Sequence, residues 1–465
     1  MFEKIKAFLG GNKLNLTHSL MKSEYKKWTD LFYLDSGYVS VSKFAKILTA
    51  YMASLASNEI SIHAGSSMRA AYIDTQIREH VSNHISGIIQ LAGVCGFVIL
   101  RPIVQDKALT VDVITPDRID VEYINSLGII ERGTFKDYTT YKGRDVVRLE
   151  QFNYYQNGFY IHNEVHYISN FDIGGEINIK EIPQWADIPT DYVYRNVDRP
   201  LFAMLKMPFQ NTVDRTSRLP VSIYADSVGA IIELDYICNQ FLREIDTGKR
   251  KQIIDRTAIR LNKDGVMRSL KDANLTGLSN KDLTTDLYLK LDMDEGQKPF
   301  EDYTPTIRVE EYRKSIDTQL RLIEMQTGFS SGTFNLDIKT GMVTATQVIS
   351  DARNTYNTIK AIQDNGLYKG LIDLIYCFDV LSTIYNLAPV GTIDPVVSFG
   401  DSIFEDTGTE FSRRKQLVDS GYLKPEKLTA WYFGVSEEEA IKEYMPEPET
   451  ELFEDEGLAN TAAFR

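Results

Sequence analysis

Two long amphipathic segments separated by an insert constrain the fold of this chain more than any other feature. Apolar residues recur at spacings of three and four in residues 222–246 and again in residues 306–327, which predicts two helices. At 1.5 Å per residue the first helix would be roughly 35 Å long. The residues between them contain strand-like runs at 252–261 and 286–293. This order predicts a helical hairpin that carries a small compact head.

The segment after the second helix is unusually rich in small, uncharged polar side chains. These are Thr344, Thr346, Gln347, Ser350, Asn354, Thr355, Asn357, Thr358 and Gln363. A solvated helix usually carries charge, so residues 339–363 are expected to be a helix buried against other protein surfaces. The preceding loop, 328–341, is long for a loop without internal structure, and such loops are often functional.

The N-terminal part of the chain mixes helical and strand-like patterns. Helices are predicted at 23–34, 41–57 and 71–91. Short aromatic and β-branched runs predict strands at 109–114, 120–123, 128–137, 145–154 and 158–169. These patterns together predict an α+β region. A further helical span is predicted to kink near Gly366, and the C-terminal part is helical again before it ends in an acidic tail.

Charge and cysteine content exclude several classes of protein. The 51 basic and 65 acidic residues give a net charge of −14, whereas a protein that grips DNA through its phosphates is normally basic. DNA passing nearby remains compatible with this charge, because a conduit must not bind what moves through it.

The three cysteines form no CxxC pair, which disfavours a zinc cluster and predicts a reducing compartment. The most apolar run, 85–100, is too short and too interrupted to span a bilayer.

Motifs for catalysis are weak. The sequence has neither the Gly-Lys-Ser/Thr ending of a phosphate-binding loop nor a Gly-x-Ser-x-Gly elbow, so no ATPase or hydrolase is predicted. One alternative is a metal-dependent enzyme, because His162, Glu164 and His166 alternate on a predicted strand and so share one face. Two histidines and a carboxylate are ligand types of iron and zinc sites. A solvated hairpin face explains the same pattern, and both readings stay open.

A basic cluster follows the first long helix. Its members are Lys249, Arg250 and Lys251. They would either neutralise the carbonyl groups at the end of the helix or contact DNA or an acidic partner.

Four stretches, in order, resemble the portal proteins of long-tailed bacteriophages. They lie at 199–251, 252–303, 328–359 and 396–440. They are similar to the entry and basic exit of the first stem helix, the clip, the tunnel loop with its following helix, and the C-terminal signature of that family. The order of the four carries the resemblance, since no single motif is diagnostic.

The resemblance implies an α+β, portal-type fold. Its parts would be an α/β wing at 1–221, a first stem helix at 222–250, a small α/β clip at 251–305, a second stem helix at 306–327, a tunnel loop at 328–342, a long kinked helix and return to the wing at 343–400, and a helical crown with an acidic tail at 401–465.

The resemblance also implies a function without catalysis or cofactor. About twelve subunits would form a ring at one capsid vertex, around a channel for packaging and ejecting double-stranded DNA. The ring would nucleate procapsid assembly with the major capsid and scaffolding proteins. It would bind the terminase large subunit during packaging and a head-completion or adaptor protein later. No membrane partner is expected. Its location would be the virion, and the host cytoplasm during assembly. A different head-associated structural protein is the other alternative.

The resemblance assigns roles to particular side chains. Weak, sequence-independent contacts to DNA phosphates would come from the tunnel loop, through Ser330, Ser331, Asn335 and Lys339. The cluster at 249–251 would be a second contact to DNA or the motor. Acidic side chains lining the channel would keep DNA mobile by repelling its phosphates; these are Glu310, Glu311, Asp317 and Glu324.

Overall fold

Helices and strands alternate along the chain within two compact units. A computed structural model describes residues 19–34, 41–105, 108–169, 172–248, 251–255, 288–291, 300–303, 306–335, 352–400, 407–433 and 440–444. The mixture of helices and strands confirms the predicted α+β class. The first unit comprises Met1–Gly341 and Asp351–Gly400, and the second comprises Met342–Ser350 and Asp401–Arg465.

Four helices in the described part of the chain precede its first long strand. They are α1 (Ser19–Tyr33), α2 (Phe44–Ala56), α3 (Met68–His80) and α4 (Ile85–Cys95), with the short strand β1 (Ser61–His63) before α3. The prediction of one helix at 71–91 is wrong in its middle, where a 3-10 turn at Ser82–His84 separates α3 from α4. Val81 leaves helical geometry at φ −123° and is fully buried, so packing overrides helical propensity at this point.

Two antiparallel sheets follow in the first unit. The three-stranded sheet has the order β10-β2-β3, with β2 (Phe97–Gln105), β3 (Ala108–Ile114) and β10 (Ala203–Lys206). The six-stranded sheet has the order β4-β5-β6-β7-β8, and β9 pairs with the first part of β7. Its strands are β4 (Ile119–Ile124), β5 (Ile130–Tyr141), β6 (Arg144–Tyr155), β7 (Gly158–Ser169), β8 (Asp172–Ile177) and β9 (Asp191–Arg195). The five predicted strands are confirmed, with small shifts at their ends.

An aromatic cluster and a charged network lie together at the six-stranded sheet. Phe135 stacks on Phe152 with ring centroids 4.7 Å apart. Asp137, two residues further along β5, accepts hydrogen bonds from Arg101 at 2.9 Å and from Arg148 at 2.6 Å. Burial opposes the charge on Asp137, but the two guanidinium groups outweigh burial and hold its pKa at about 2. Asp137 therefore contributes to the stability of the fold through these contacts while it is ionised.

The two long helices predicted from the sequence are α5 (Val228–Thr247) and α6 (Val309–Thr327). Between them the structure describes a small sheet of order β12-β11-β13, formed by β11 (Lys251–Asp255), β12 (Tyr288–Leu291) and β13 (Phe300–Tyr303). The α-helical geometry of α5 begins later than predicted, because Ala225–Ser227 forms a 3-10 turn. None of the helices among the described residues is long and apolar enough to cross a membrane.

The helical span after the second long helix is kinked, as predicted, near Gly366. It consists of α7 (Arg353–Ala361), a π-helical turn (Ile362–Leu367) and α8 (Tyr368–Ile384). A Cβ atom on Gly366 would lie 2.2 Å from the carbonyl oxygen of Lys206, so only glycine allows this approach to β10. After α8 the chain forms β14 (Val396–Ser398), which pairs antiparallel with β1.

The described residues of the second unit are helical. They form α9 (Thr407–Asp419), α10 (Pro425–Phe433) and a π-helical turn (Ala440–Tyr444). Aromatic contacts connect them: the rings of Phe433 and Tyr444 stack with centroids 4.3 Å apart, and Phe411 lies 5.1 Å from Tyr432.

Candidate functional site

The helices α5 and α6 pack against each other as a hairpin. At one end, the carboxylate of Glu244 accepts hydrogen bonds from the backbone N–H of Arg308 at 3.0 Å and from its guanidinium at 2.7 Å. One turn away, the rings of Phe241 and Tyr312 lie 5.2 Å apart. The hydrogen bonds from Arg308 lower the pKa of Glu244 to about 2. The end of α5 is thus joined to the beginning of α6.

At the other end of α6 a buried carboxylate organises the following loop. Glu324 is 1% exposed. Its Oε2 accepts the backbone N–H of Gly332 and its Oε1 accepts that of Phe334, both at 2.7 Å. Hydrogen bonds to a charged acceptor are stronger than neutral ones, and here both oxygens have a donor. Glu324 therefore fixes the course of residues 328–335, which we call the loop root.

The loop root is also bonded to α7. Ser330 and Thr355 exchange hydrogen bonds: the N–H of Ser330 donates to Thr355 Oγ1 at 2.9 Å, and the N–H of Thr355 donates to Ser330 Oγ at 3.1 Å. Thr358 donates its hydroxyl to the carbonyl oxygen of Gly328 at 2.7 Å. Gly328 has φ +79°, and a Cβ atom there would lie 2.7 Å from Thr358 Oγ1. The start of the loop can therefore fit against α7 only with glycine at this position.

Aromatic side chains hold the loop root against α2. The ring of Phe334 lies 5.1 Å from that of Phe44 and 5.5 Å from that of Tyr51. Phe329, which is 2% exposed, lies 5.6 Å from Phe334. Edge-to-face pairs of this kind add to the stabilisation from burial alone. Three elements, α2, α6 and α7, thus converge on the loop root.

The predicted acidic residues of α6 differ in how far they are exposed. Glu310 and Glu311 are exposed in its first turn, where negative charge also complements the helix dipole. Asp317 is partly buried. Glu324, which was also predicted to line a channel, is buried in the single subunit, and its carboxylate accepts two backbone N–H groups of the loop root. Its place along a channel stays a prediction.

The predicted DNA-contacting residues of the loop also differ among themselves. Ser331 and Asn335 are exposed on the loop root. Ser330 is 5% exposed and exchanges hydrogen bonds with Thr355, and its contact with DNA stays a prediction. Lys339 lies outside the described residues.

The predicted basic cluster is only partly within the described chain. Lys249 and Arg250 lie outside it. Lys251 is the first residue of β11, where its backbone pairs with Tyr303, and its side chain is not among those described.

The alternative metal site does not assemble. His162 Nδ1 lies 2.7 Å from Asp191 Oδ1, and His162 Nε2 lies 3.0 Å from Glu164 Oε1. His166 Nε2 lies 3.5 Å from the other oxygen of Glu164. The side chains do share one face of β7, but both ring nitrogens of His162 face carboxylates directly. Within the described residues, no group of three or more His, Cys, Asp or Glu side chains is arranged to hold a metal ion.

Sequence reasoning missed the residues that fix the loop root. The burial predicted for the neutral polar side chains is found for Thr355 and Gln363, each 2% exposed, but Asn354 and Asn357 are exposed. Thr344, Thr346, Gln347 and Ser350 lie outside the described residues. Nothing in the spacing showed that Thr355 would pair with Ser330, or that Phe334 would reach Phe44. These contacts join residues far apart in the sequence, and periodicity reports only local structure.

Comparison with known proteins identifies the class. The sequence matches the family described as "Phage portal protein, SPP1 Gp6-like" over residues 39–451, which is most of the chain. The protein is therefore a phage portal protein and belongs to the SPP1 Gp6-like family. This confirms the predicted class and places the protein in the virion, at the portal vertex. The family is structural and non-enzymatic. None of the curated proteins compared with the sequence matches it.

Three solved structures resemble the fold distantly. A chain from the "Virion of native gene transfer agent (GTA) particle" is 10% identical with a TM-score of 0.41, covering 89% of this chain and 94% of that one. A chain from the "Neck of empty GTA particle computed with C6 symmetry" is 11% identical with a TM-score of 0.43, covering 88% and 94%. A chain from the "Neck of native GTA particle computed with C12 symmetry" is 10% identical with a TM-score of 0.42, covering 93% and 98%.

Proposed function

We propose that this portal protein forms a ring of about twelve subunits around a channel for double-stranded DNA. The helices α5 and α6 would be the stem, the sheet of β11, β12 and β13 the clip, and the loop root the base of the tunnel loop. Residues 1–221 and 343–400 would form the wing and its return, and residues 401–465 the crown. The observation that carries the proposal is the family match over residues 39–451.

The surface of α5 supports assembly with other copies. Tyr236 is 56% exposed and Leu242 is 46% exposed, although both are large and largely apolar. Six residues apart on a helix, they lie about 120° from each other around its axis. A ring contact between identical subunits joins two different surfaces, so each subunit needs a contact face on either side. Two separate apolar faces on one long helix fit that requirement.

The charge of α6 fits a channel that does not retain DNA. Glu310 and Glu311 are exposed, and in a ring each would recur once per subunit. Repeated negative charge repels phosphate, and the overall charge of −14 acts in the same direction. Ser331, Asn335 and Lys339 remain the proposed weak contacts to the DNA backbone. Lys249, Arg250 and Lys251 remain the proposed second contact to DNA or the motor.

The partners of the ring follow from its proposed place at the portal vertex. It would nucleate procapsid assembly with the major capsid and scaffolding proteins. It would dock the terminase large subunit during packaging, and a head-completion or adaptor protein afterwards. It would hydrolyse nothing itself, so the energy for packaging would come from the terminase.

The test is the oligomeric state of the purified full-length chain. Native mass spectrometry should give a particle near twelve times 53.0 kDa, and negative-stain images should show an axial hole. Tyr236→Asp and Leu242→Asp should shift the population toward smaller species, because each buries a charge at a subunit contact. Ile173→Asp on β8, which also replaces an exposed apolar residue, is the matched control. A wild-type chain that stays monomeric at every concentration contradicts the proposal.

A further inference from the structure

A cleft in the first unit carries an excess of positive charge in an otherwise acidic protein. It lies where the turn between β4 and β5, the end of β10, and the π-helical turn before α8 meet. Its cavity volume is about 40 Å³, which is more than one water molecule needs, and its mouth is open to solvent. Its charged lining residues are Arg199, Lys206, Lys369 and Asp373. Three cations and one carboxylate give 3 − 1 = +2.

The single carboxylate is already committed. Arg199 donates a hydrogen bond to Asp373, and its guanidinium lies 4.6 Å from the ring centroid of Tyr376. The ammonium groups of Lys206 and Lys369 have no hydrogen bond or ion pair to an acceptor within the part of the chain that the structure describes. The excess charge of the cleft is therefore that of these two lysines.

Two glycines lie close to Lys206, one at its backbone and one at its ammonium group. The backbone of Gly366 is so close to the carbonyl oxygen of Lys206 that a Cβ atom would be 2.2 Å from it. At the other end of the side chain, a Cβ atom on Gly128 would be 3.3 Å from Lys206 Nζ. Gly128 has φ +75°, which favours glycine in this turn for a second reason. The backbone of Lys206 is therefore packed against the π-helical turn, and its ammonium group lies near the turn at Gly128.

The position of Lys206 is electrostatically unfavourable for a cation. Burial lowers its pKa, and the charge of Lys369 nearby lowers it further. A partly buried ammonium next to a second cation is stabilised by a counter-ion, because buried charges require a partner. A divalent oxyanion would neutralise the excess of +2.

We propose that this cleft binds a phosphate group, held by the ammonium groups of Lys206 and Lys369. Lysine binds phosphate as a point charge, without the fixed geometry that arginine requires. The bound group would connect β10 with the π-helical turn and the start of α8, and so would brace the kinked helix against the sheets. The phosphate has two sources, free inorganic phosphate or the backbone of DNA, and the same two lysines would recognise either.

The experiment titrates the full-length protein in phosphate-free buffer at low ionic strength. One arm adds inorganic phosphate and the other adds a short DNA duplex, each followed by isothermal titration calorimetry. Lys206→Met and Lys369→Met should each weaken binding roughly tenfold or more, because each removes a charged partner. Lys180→Met, which removes an exposed lysine elsewhere, should bind like the wild type. Circular dichroism of each variant tests whether it is folded. Because Lys369 is exposed, Lys369→Met should disturb folding less than Lys206→Met.

The two arms separate the sources of the phosphate. Lysine-dependent binding of inorganic phosphate assigns the cleft to the free ion, and lysine-dependent binding of the duplex alone assigns it to DNA. Binding in neither arm, or equal loss in the Lys180→Met control, overturns the proposal. Calorimetry measures binding to the cleft and does not depend on ring formation. The phosphate proposal can therefore fail while the proposed ring assembly holds, and the reverse.

Discussion

Ser330 and Thr355 each donate a backbone N–H to the other's side-chain hydroxyl oxygen, across 25 residues of sequence. Both residues are almost fully buried. The pair joins the loop root, just after α6, to the first turn of α7.

This reciprocal pair predicts energetic coupling. Ser330→Ala and Thr355→Ala should each lower the free energy of unfolding by about 1–2 kcal/mol, because each leaves a buried N–H without its acceptor. The double variant should lose less than the sum, by at least about 0.5 kcal/mol. Denaturant unfolding of the four proteins gives the cycle. Strict additivity would mean that the two hydrogen bonds are independent of each other.

Glu324 should be essential to the loop root as a carboxylate. In Glu324→Gln one oxygen is replaced by an amide N–H₂ that cannot accept the N–H of Gly332 or Phe334. We expect a loss of about 2 kcal/mol in the free energy of unfolding. Glu310→Gln, on the exposed first turn of the same helix, should change it by less than about 0.5 kcal/mol. Equal effects of the two substitutions would show that the buried contacts of Glu324 contribute nothing.

Acid should weaken the fold through Asp137. Its pKa is held at about 2, below the ordinary value of 3.8, so its contribution is present above about pH 4 and is lost as pH falls through 2. This contribution is about 2 kcal/mol. In Asp137→Asn the free energy of unfolding should start roughly 3 kcal/mol lower at neutral pH and fall less steeply between pH 4 and 2.

The control for this pH dependence is Asp187→Asn, which alters an exposed carboxylate. It should retain the wild-type slope. Unfolding followed by tryptophan fluorescence at each pH provides the measurement. An unchanged slope in Asp137→Asn would assign the acid sensitivity to other carboxylates.

Gly366 should tolerate no side chain. A methyl group there would meet the carbonyl oxygen of Lys206 at 2.2 Å, and relieving that overlap should cost about 1–3 kcal/mol. Gly229, at the start of α5, has no atom within 4 Å of the same position. Gly229→Ala should therefore be neutral or stabilise by up to about 1 kcal/mol, through helix propensity. Calorimetric melting of both variants tests the difference, and a Gly366→Ala protein as stable as the wild type would contradict the close approach.

Sequence patterns predicted the elements of this fold better than its contacts. The amphipathic spacing of α5 and α6 and the alternation in β5, β6 and β7 depend on residues within one element, so periodicity detects them. The break at Val81 was missed because it arises from burial against other elements. The burial of Glu324 could not be read from the sequence for a related reason: the loop root that covers it is brought there only by folding.

The last prediction concerns Lys339, which lies outside the described residues. If it contacts DNA phosphates in the ring, Lys339→Glu should leave ring assembly intact but reduce the amount of DNA packaged or retained, because attraction to phosphate becomes repulsion. Quantifying DNA per particle in phage complemented with the variant measures this. Lys180→Glu makes the same change of charge in the 3-10 turn that follows β8. Phage carrying this control variant should package a normal amount of DNA. Full packaging by both variants would remove Lys339 from the proposed DNA contacts and leave Ser331 and Asn335, whose exposure on a rigidly held loop root already favours them.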